Sequence, residues 1–178
     1  MNGIESTSSA RVKPAVAAIN GYSAPPSEAP VKLNQNESAF PLTDELRKKI
    51  CERVPAVDWR RYPADEPSEL KNLLSDIHQM PANHFVFGNG SNEIILALWM
   101  ACVPEESVVL SVEPTFTLYR LLSTVIGSRF ETVPLDRDFE FDVAGILEAV
   151  RRLRPRLTVL ASPNNPTGTV LPPGALEL

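Results

Sequence analysis

The chain has little cysteine, no surplus of positive charge and no long apolar run, and each shortage removes a class of protein. Its only cysteines are Cys51 and Cys102. Each lies in a segment that reads as helix and neither has Cys-x-x-Cys spacing, so a disulfide framework or a zinc site has no support and no metal is expected. Seventeen basic residues stand against 22 acidic ones, a net charge of -5. That balance offers no broad positive surface for a nucleic-acid backbone or an anionic membrane. No apolar stretch is long enough to span a bilayer, and Met1 to Ser9 lacks the continuous apolar segment of a secretory signal. These absences point to a soluble protein of the reducing cytoplasm. With 178 residues, 43% of them hydrophobic, the chain is long enough for a one-domain core, since about 150 residues hide roughly 68–70% of their unfolded surface.

Residues 1–30 are rich in Ser, Ala and Pro. Pro14, Pro25, Pro26 and Pro30 deny the backbone helical donors and dihedrals, which predicts a mobile arm, with the ordered part, residues 31–178, starting near Val31. From Thr43 an N-cap residue, first-turn acids and Leu46, Ile50 and Val54 at helical spacing predict an amphipathic helix. A second helix, from Ser68, sets Leu70, Leu73, Leu74 and Ile77 on one face. The chain then alternates. Strands are predicted at His84–Phe87, Ser107–Ser111, Arg129–Val133 and Leu157–Ala161, with helices at Ser91–Cys102, Thr115–Ile126 and Asp142–Leu153. Such alternation calls for an α/β sheet with helices on its faces, joined by right-handed crossovers. Pro172 to Leu178 reads as the first turn of another helix. A truncated larger domain and a complete small α/β domain with a frayed tail both fit that ending.

Two constellations carry chemistry. In Phe87-Gly88-Asn89-Gly90-Ser91-Asn92-Glu93 a strand passes through a glycine turn into a helix, and Gly90, Ser91 and Asn92 make a natural phosphate cradle at the helix N-terminus. The plain alternative is a tight turn with Ser91 or Asn92 capping the helix. A Rossmann-type nucleotide or S-adenosylmethionine site is a further alternative, with Glu113 after the strand Val108–Val112 as the ribose acid. Glu93, however, stands where the dinucleotide fingerprint has its third glycine. In the second constellation, Ala161-Ser162-Pro163-Asn164-Asn165-Pro166-Thr167-Gly168, turn residues fix a loop at the C-terminal end of a strand, where open α/β sheets keep their ligands. Its adjacent asparagines offer amides able to donate to a phenolate oxygen.

Pro163-Asn164-Asn165-Pro166-Thr167-Gly168 resembles the Asn-Pro-x-Gly signature of the class I and II aminotransferases, which have pyridoxal-5'-phosphate (PLP) fold type I. Leu33-Asn34-Gln35-Asn36-Glu37-Ser38, Arg61-Tyr62-Pro63, the turn Gly88 to Glu93, and Pro114-Thr115-Phe116-Thr117-Leu118-Tyr119 are similar, in order, to the histidinol-phosphate aminotransferase branch. The resemblance covers Leu33 to Gly168. It implies the first half of a PLP-binding large domain, in a homodimer. Ser91 and Asn92 would hold the cofactor phosphate at the helix N-terminus. Phe116 would lie against the pyridine ring; its plain reading is a core aromatic at a strand-to-helix corner. Asn165 would donate to O3', and Tyr62 would reach the phosphate of the partner subunit's cofactor, where its plain reading is an ordinary half-buried tyrosine. Tyr22 would lie near the substrate phosphate. Amino transfer between L-glutamate and imidazole-acetol phosphate is the implied reaction, with an aromatic aminotransferase or a phosphothreonine decarboxylase as alternatives inside the family.

The family's Schiff-base lysine follows the Asn-Pro-Thr-Gly loop at a distance. The lysines here are Lys13, Lys32, Lys48, Lys49 and Lys71, all before the phosphate turn, in arm or helix-surface contexts that favour solvation. No catalytic residue is therefore expected in this chain, and the stretch as it stands is expected to be an inactive N-terminal portion.

Overall fold

The structure, a computed structural model, describes residues 12–19, 37–63, 67–175 and 177. It divides into two units, residues 21–85 and residues 86–178 joined by residues 1–20.

In the unit of residues 21–85, α2 (Asp44–Arg53) begins where the sequence places its cap: the Thr43 hydroxyl accepts from the Leu46 amide at 3.3 Å. Asp44 and Glu45 sit at its positive end, and Lys49–Glu45 at 2.7 Å and Lys48–Glu52 at 3.9 Å pair along its surface. Helix α3 (Ser68–His78) ends at Gln79, whose left-handed φ of 56° returns its amide to the Ser75 carbonyl. The apolar faces of both helices remain open among the described residues: Leu46, Ile50, Leu70, Leu73 and Ile77 are all exposed. The strand expected at His84–Phe87 does not form. A 3-10 turn spans Ala82–His84, Phe85 is extended, and residues 85–88 belong to no strand. Apolar residues favour extension, but a strand also needs a ladder partner.

The other unit opens with a single turn, α1 (Pro14–Ala17), inside the proline-rich arm. Pro14 occupies N1, where a missing amide costs nothing, so the expectation that the prolines exclude helix fails here. Then come α4 (Ser91–Cys102), β1 (Val108–Glu113), α5 (Leu118–Ile126), β2 (Arg129–Pro134), α6 (Val143–Leu153) and β3 (Leu157–Thr158). The sheet is parallel, in the order β2-β1-β3. Val108 faces Arg129, Glu113 faces Pro134, and Val109 faces Leu157. Central β1 is buried from Val108 to Val112, which accounts for an apolar run broken only by Ser111, whose hydroxyl donates to the Val159 carbonyl at 2.7 Å, where a one-sided strand would alternate.

Side chains alternate across a strand, so β1 feeds a core on each face. Val109 joins Trp99, Val103, Tyr119 and Leu122 on the α4–α5 side; Val112 joins Leu135, Phe141 and Ile146 on the α6 side. The chain steps from β1 outward to β2 and then back past β1 to β3. Right-handed crossovers in opposite directions put α5 and α6 on opposite faces. Within the first core the Trp99 indole N–H donates to the buried Ser123 hydroxyl at 3.2 Å, and the Trp99 and Tyr119 rings stack at 5.7 Å. Asp142 caps α6 by accepting from the Gly145 amide at 2.9 Å. Pro172 to Ala175 forms a hydrogen-bonded turn and no helix among the described residues.

Candidate functional site

Parallel strands point their C-terminal ends the same way, so the segments after β1 and β3 emerge at one edge of the sheet. Both hold a cis peptide bond before proline: Glu113-Pro114 in one, Ser162-Pro163 and Asn165-Pro166 in the other. The periodicity places α5 from Thr115, but the helix starts at Leu118. Pro114 to Thr117 instead make a corner, closed by the Tyr119 amide on the Phe116 carbonyl at 3.2 Å. Thr115 is buried there and its hydroxyl donates to Asn164 Oδ1 at 2.8 Å, across 49 residues of sequence.

Asn164 is only 3% exposed, and its carboxamide is fully committed. Its Nδ2 donates to the Pro114 carbonyl at 3.0 Å and to Thr167 Oγ1 at 2.9 Å, while Oδ1 takes the Thr115 proton. Its amide donates to the Thr169 carbonyl and its carbonyl accepts from the Gly168 amide. Thr167 and Thr169 hydroxyls share a hydrogen bond at 2.8 Å, and Thr169 Oγ1 continues to the Phe139 carbonyl at 2.8 Å. Asn165, the next residue, is half-buried, and its side chain makes no hydrogen bond among the described residues. Two asparagines that look alike in sequence are thus divided: one amide is spent on the fold and the other is free.

Phe116 is half-buried at the same corner, packed on the Trp99 cluster and edge-on to Tyr119 with ring centres 5.6 Å apart. The plain core reading describes one side of this ring, and the rest remains open. Burial raises the Tyr119 phenol above the ordinary value, since a phenolate there would lose its water. Ile95, in the second turn of α4, packs against the same cluster, which brings α4 beside the Phe116 corner.

At the start of α4 the N-cap is Gly90, with φ 79° and ψ 167°, and no side chain caps the helix. The plain alternative, in which Ser91 or Asn92 serves as cap, therefore fails: both are exposed helical residues. That conformation is essentially closed to residues with a Cβ, and the space where a Cβ would project is open. At Gly88 a Cβ would lie 2.7 Å from Ile94 Cδ1 and 2.8 Å from Glu93 Oε2, so those two side-chain ends would have to shift to admit one. Glu93 folds back to accept from the Asn89 amide. This tightens the turn and keeps an acidic side chain at the position where the dinucleotide fingerprint has its third glycine. Glu113, the ribose acid of the Rossmann alternative, is paired with Arg120, whose guanidinium lies 4.8 Å from the Phe130 ring centre.

Tyr62, in the unit of residues 21–85, is 99% exposed, so the half-buried plain reading is corrected. Tyr22 and Lys32 lie outside the described residues. Lys13 reaches Glu105 at 3.4 Å, and Cys51 and Cys102 are free thiols. Among the described residues no helix is long and apolar enough to cross a membrane. Sequence reasoning passed over Thr115, Thr167 and Thr169; hydroxyl residues flanking two turn-rich segments were the only available signal.

Comparison with known proteins gives one consistent picture. The family model for aminotransferase class I and II matches residues 28–178. Histidinol-phosphate aminotransferase of Paracidovorax citrulli is 37% identical over 172 residues, 94% of this chain and 46% of that protein. The Chlorobium luteolum protein of the same name is 38% identical over 146 residues, 82% of this chain and 41% of its own. The chain thus spans under half the length of these relatives. Among solved structures, histidinol-phosphate aminotransferase from Sinorhizobium meliloti, crystallised with pyridoxal-5'-phosphate, superposes with a TM-score of 0.72 at 24% identity, covering 80% of this chain and 38% of that one. The likeness shows a shared fold, that of the PLP fold type I enzymes, as the sequence implied.

Proposed function

The chain belongs to the class I and II aminotransferases, and on that premise we propose that its β1, β3 and α4 ends form one wall of a PLP site. The donor set fits such a group. An uncapped helix N-terminus with open space over Gly90 suits a single phosphate, and the free carboxamide of Asn165 suits an anionic ring oxygen. Ser91 and Asn92 hold the phosphate, Phe116 offers a ring face to the pyridine, and Asn165 donates to O3'. PLP, when bound, supplies the electron sink for amino transfer. The chain's own part is to anchor, orient and hold the charge of O3'.

Tyr62, fully exposed on its own chain, serves the phosphate of the partner subunit's cofactor in a homodimer, and Tyr22 serves the substrate phosphate. For the whole protein, similarity to the histidinol-phosphate aminotransferases supports L-glutamate as amino donor and imidazole-acetol phosphate as acceptor, in histidine biosynthesis. The single observation that carries the cofactor reading is the unspent Asn165 amide beside the saturated Asn164. Titrating the chain with PLP and with pyridoxal, which lacks the phosphate, tests it. PLP should bind saturably and about tenfold or more tighter, as charge-assisted bonds at the helix end require. Equal affinity for the two would contradict the α4 phosphate site. A preference for aromatic keto acids over imidazole-acetol phosphate would overturn the substrate half.

A further inference from the structure

The structure assigns a separate task to Asn164: we propose that Asn164 and Thr115 form a latch that locks the β1–α5 corner to the loop after β3 and thereby sets the position of Asn165. The inference rests on the PLP reading of the site and makes Asn164 a positioning residue. It requires no contact between Asn164 and any ligand.

Three observations carry it. Asn164 is 3% exposed with both amide hydrogens donated and its oxygen already accepting, so it cannot donate to a ligand without breaking a bond already made. Its partners lie on both segments, Pro114 and Thr115 on the corner and Thr167 on its own loop, so it is the crossing point between them. The network runs on through Thr169 to the Phe139 carbonyl, which gives the loop a third anchor. Asn165 and Phe116 each follow directly on a latch residue, Asn164 and Thr115. A shift of the loop relative to the corner would therefore move the Asn165 amide relative to the Phe116 ring. Buried polar networks with every member satisfied hold one arrangement, because each alternative leaves a group unpaired.

Thr115→Val is the test variant, since it keeps the shape and removes the hydroxyl that donates to Asn164 from the corner; Thr115→Ser restores the hydroxyl. Two readouts are made on the full chain. The first, without cofactor, is amide hydrogen exchange over residues 164–168, where the Gly168 amide is held by the Asn164 carbonyl at 2.7 Å. The second is the pH midpoint of the bound PLP spectrum, which moves up when the ring oxygen loses its donor. Thr115→Val should speed exchange in this distant segment about tenfold and raise the midpoint, and Thr115→Ser should reverse both. In an Asn165→Ala background the midpoint shift should vanish, because the latch acts through that residue. Unchanged exchange in Thr115→Val would overturn the latch whether or not PLP binds. A midpoint shift that persists without the Asn165 amide would overturn the positioning role. A chain whose loops are coupled by exchange yet takes up no PLP would overturn the cofactor reading, and the positioning role with it, on separate grounds.

Discussion

Replacing Asn164 and Asn165 by alanine, one at a time, should give opposite results although the residues are identical and adjacent. Asn164→Ala removes three side-chain hydrogen bonds, to the Pro114 carbonyl, Thr167 Oγ1 and Thr115 Oγ1. At about 1 kcal/mol net for each, the cost is about 3 kcal/mol, and the Thr115 hydroxyl, left buried without an acceptor, adds to it. That is a large share of the roughly 5–15 kcal/mol that stabilises a typical domain. Asn165→Ala removes no hydrogen bond among the described residues and should leave stability within about 0.5 kcal/mol. Urea unfolding measures the difference, followed by the fluorescence of buried Trp99 in a Trp59→Phe background, because Trp59 is 74% exposed and belongs to the other unit. With a slope near 2 kcal/mol per molar urea, the Asn164→Ala midpoint should fall by about 1.5 M at unchanged slope. Equal midpoints for the two variants would refute the division of labour between them.

Gly90→Ala should cost about 1–3 kcal/mol through backbone strain alone, since φ is 79° and no atom lies within 4 Å of the added Cβ; a neutral result in the same urea assay would refute the assigned turn. Burial raises the Tyr119 pKa in the folded state, so its contribution is complete below the ordinary tyrosine value of 10.0 and is lost as pH climbs through the raised one. Tyr119→Phe should therefore flatten the alkaline fall in stability, and an unchanged fall would place its cause elsewhere. For the whole protein, mixing Tyr62→Phe subunits with subunits disabled at Asn165 should restore part of the amino-transfer activity in mixed dimers. No restoration in dimers shown to have formed would remove Tyr62 from the partner's site.

The sequence was most legible where a single residue type performs a local task. Thr43 caps α2 as its position predicts, and the largely apolar run of β1 announces a buried strand. It was least legible where the outcome depends on a distant partner. His84–Phe87 has the composition of a strand and lacks a ladder among the described residues. Helical spacing continues through Thr115 to Thr117, but the Thr115 hydroxyl is claimed by Asn164, and α5 waits until Leu118. Nothing local distinguishes Asn164 from Asn165 as the amide spent on the fold, because the deciding partners lie 49 and 50 residues earlier. Family motifs located the segments, and the geometry divided the tasks within them.

The central claim is that the α4 N-terminus, the Phe116 corner and Asn165 together receive PLP, and a crystal structure of the chain with PLP bound tests it most directly. The account predicts the phosphate against the backbone amides of Ser91 and Asn92, the pyridine ring on Phe116, and Asn165 Nδ2 within hydrogen-bond distance of O3', with the Asn164 bonds intact. A phosphate seated elsewhere, or an Asn165 amide turned away from the ring while Asn164 turns toward it, would contradict the account.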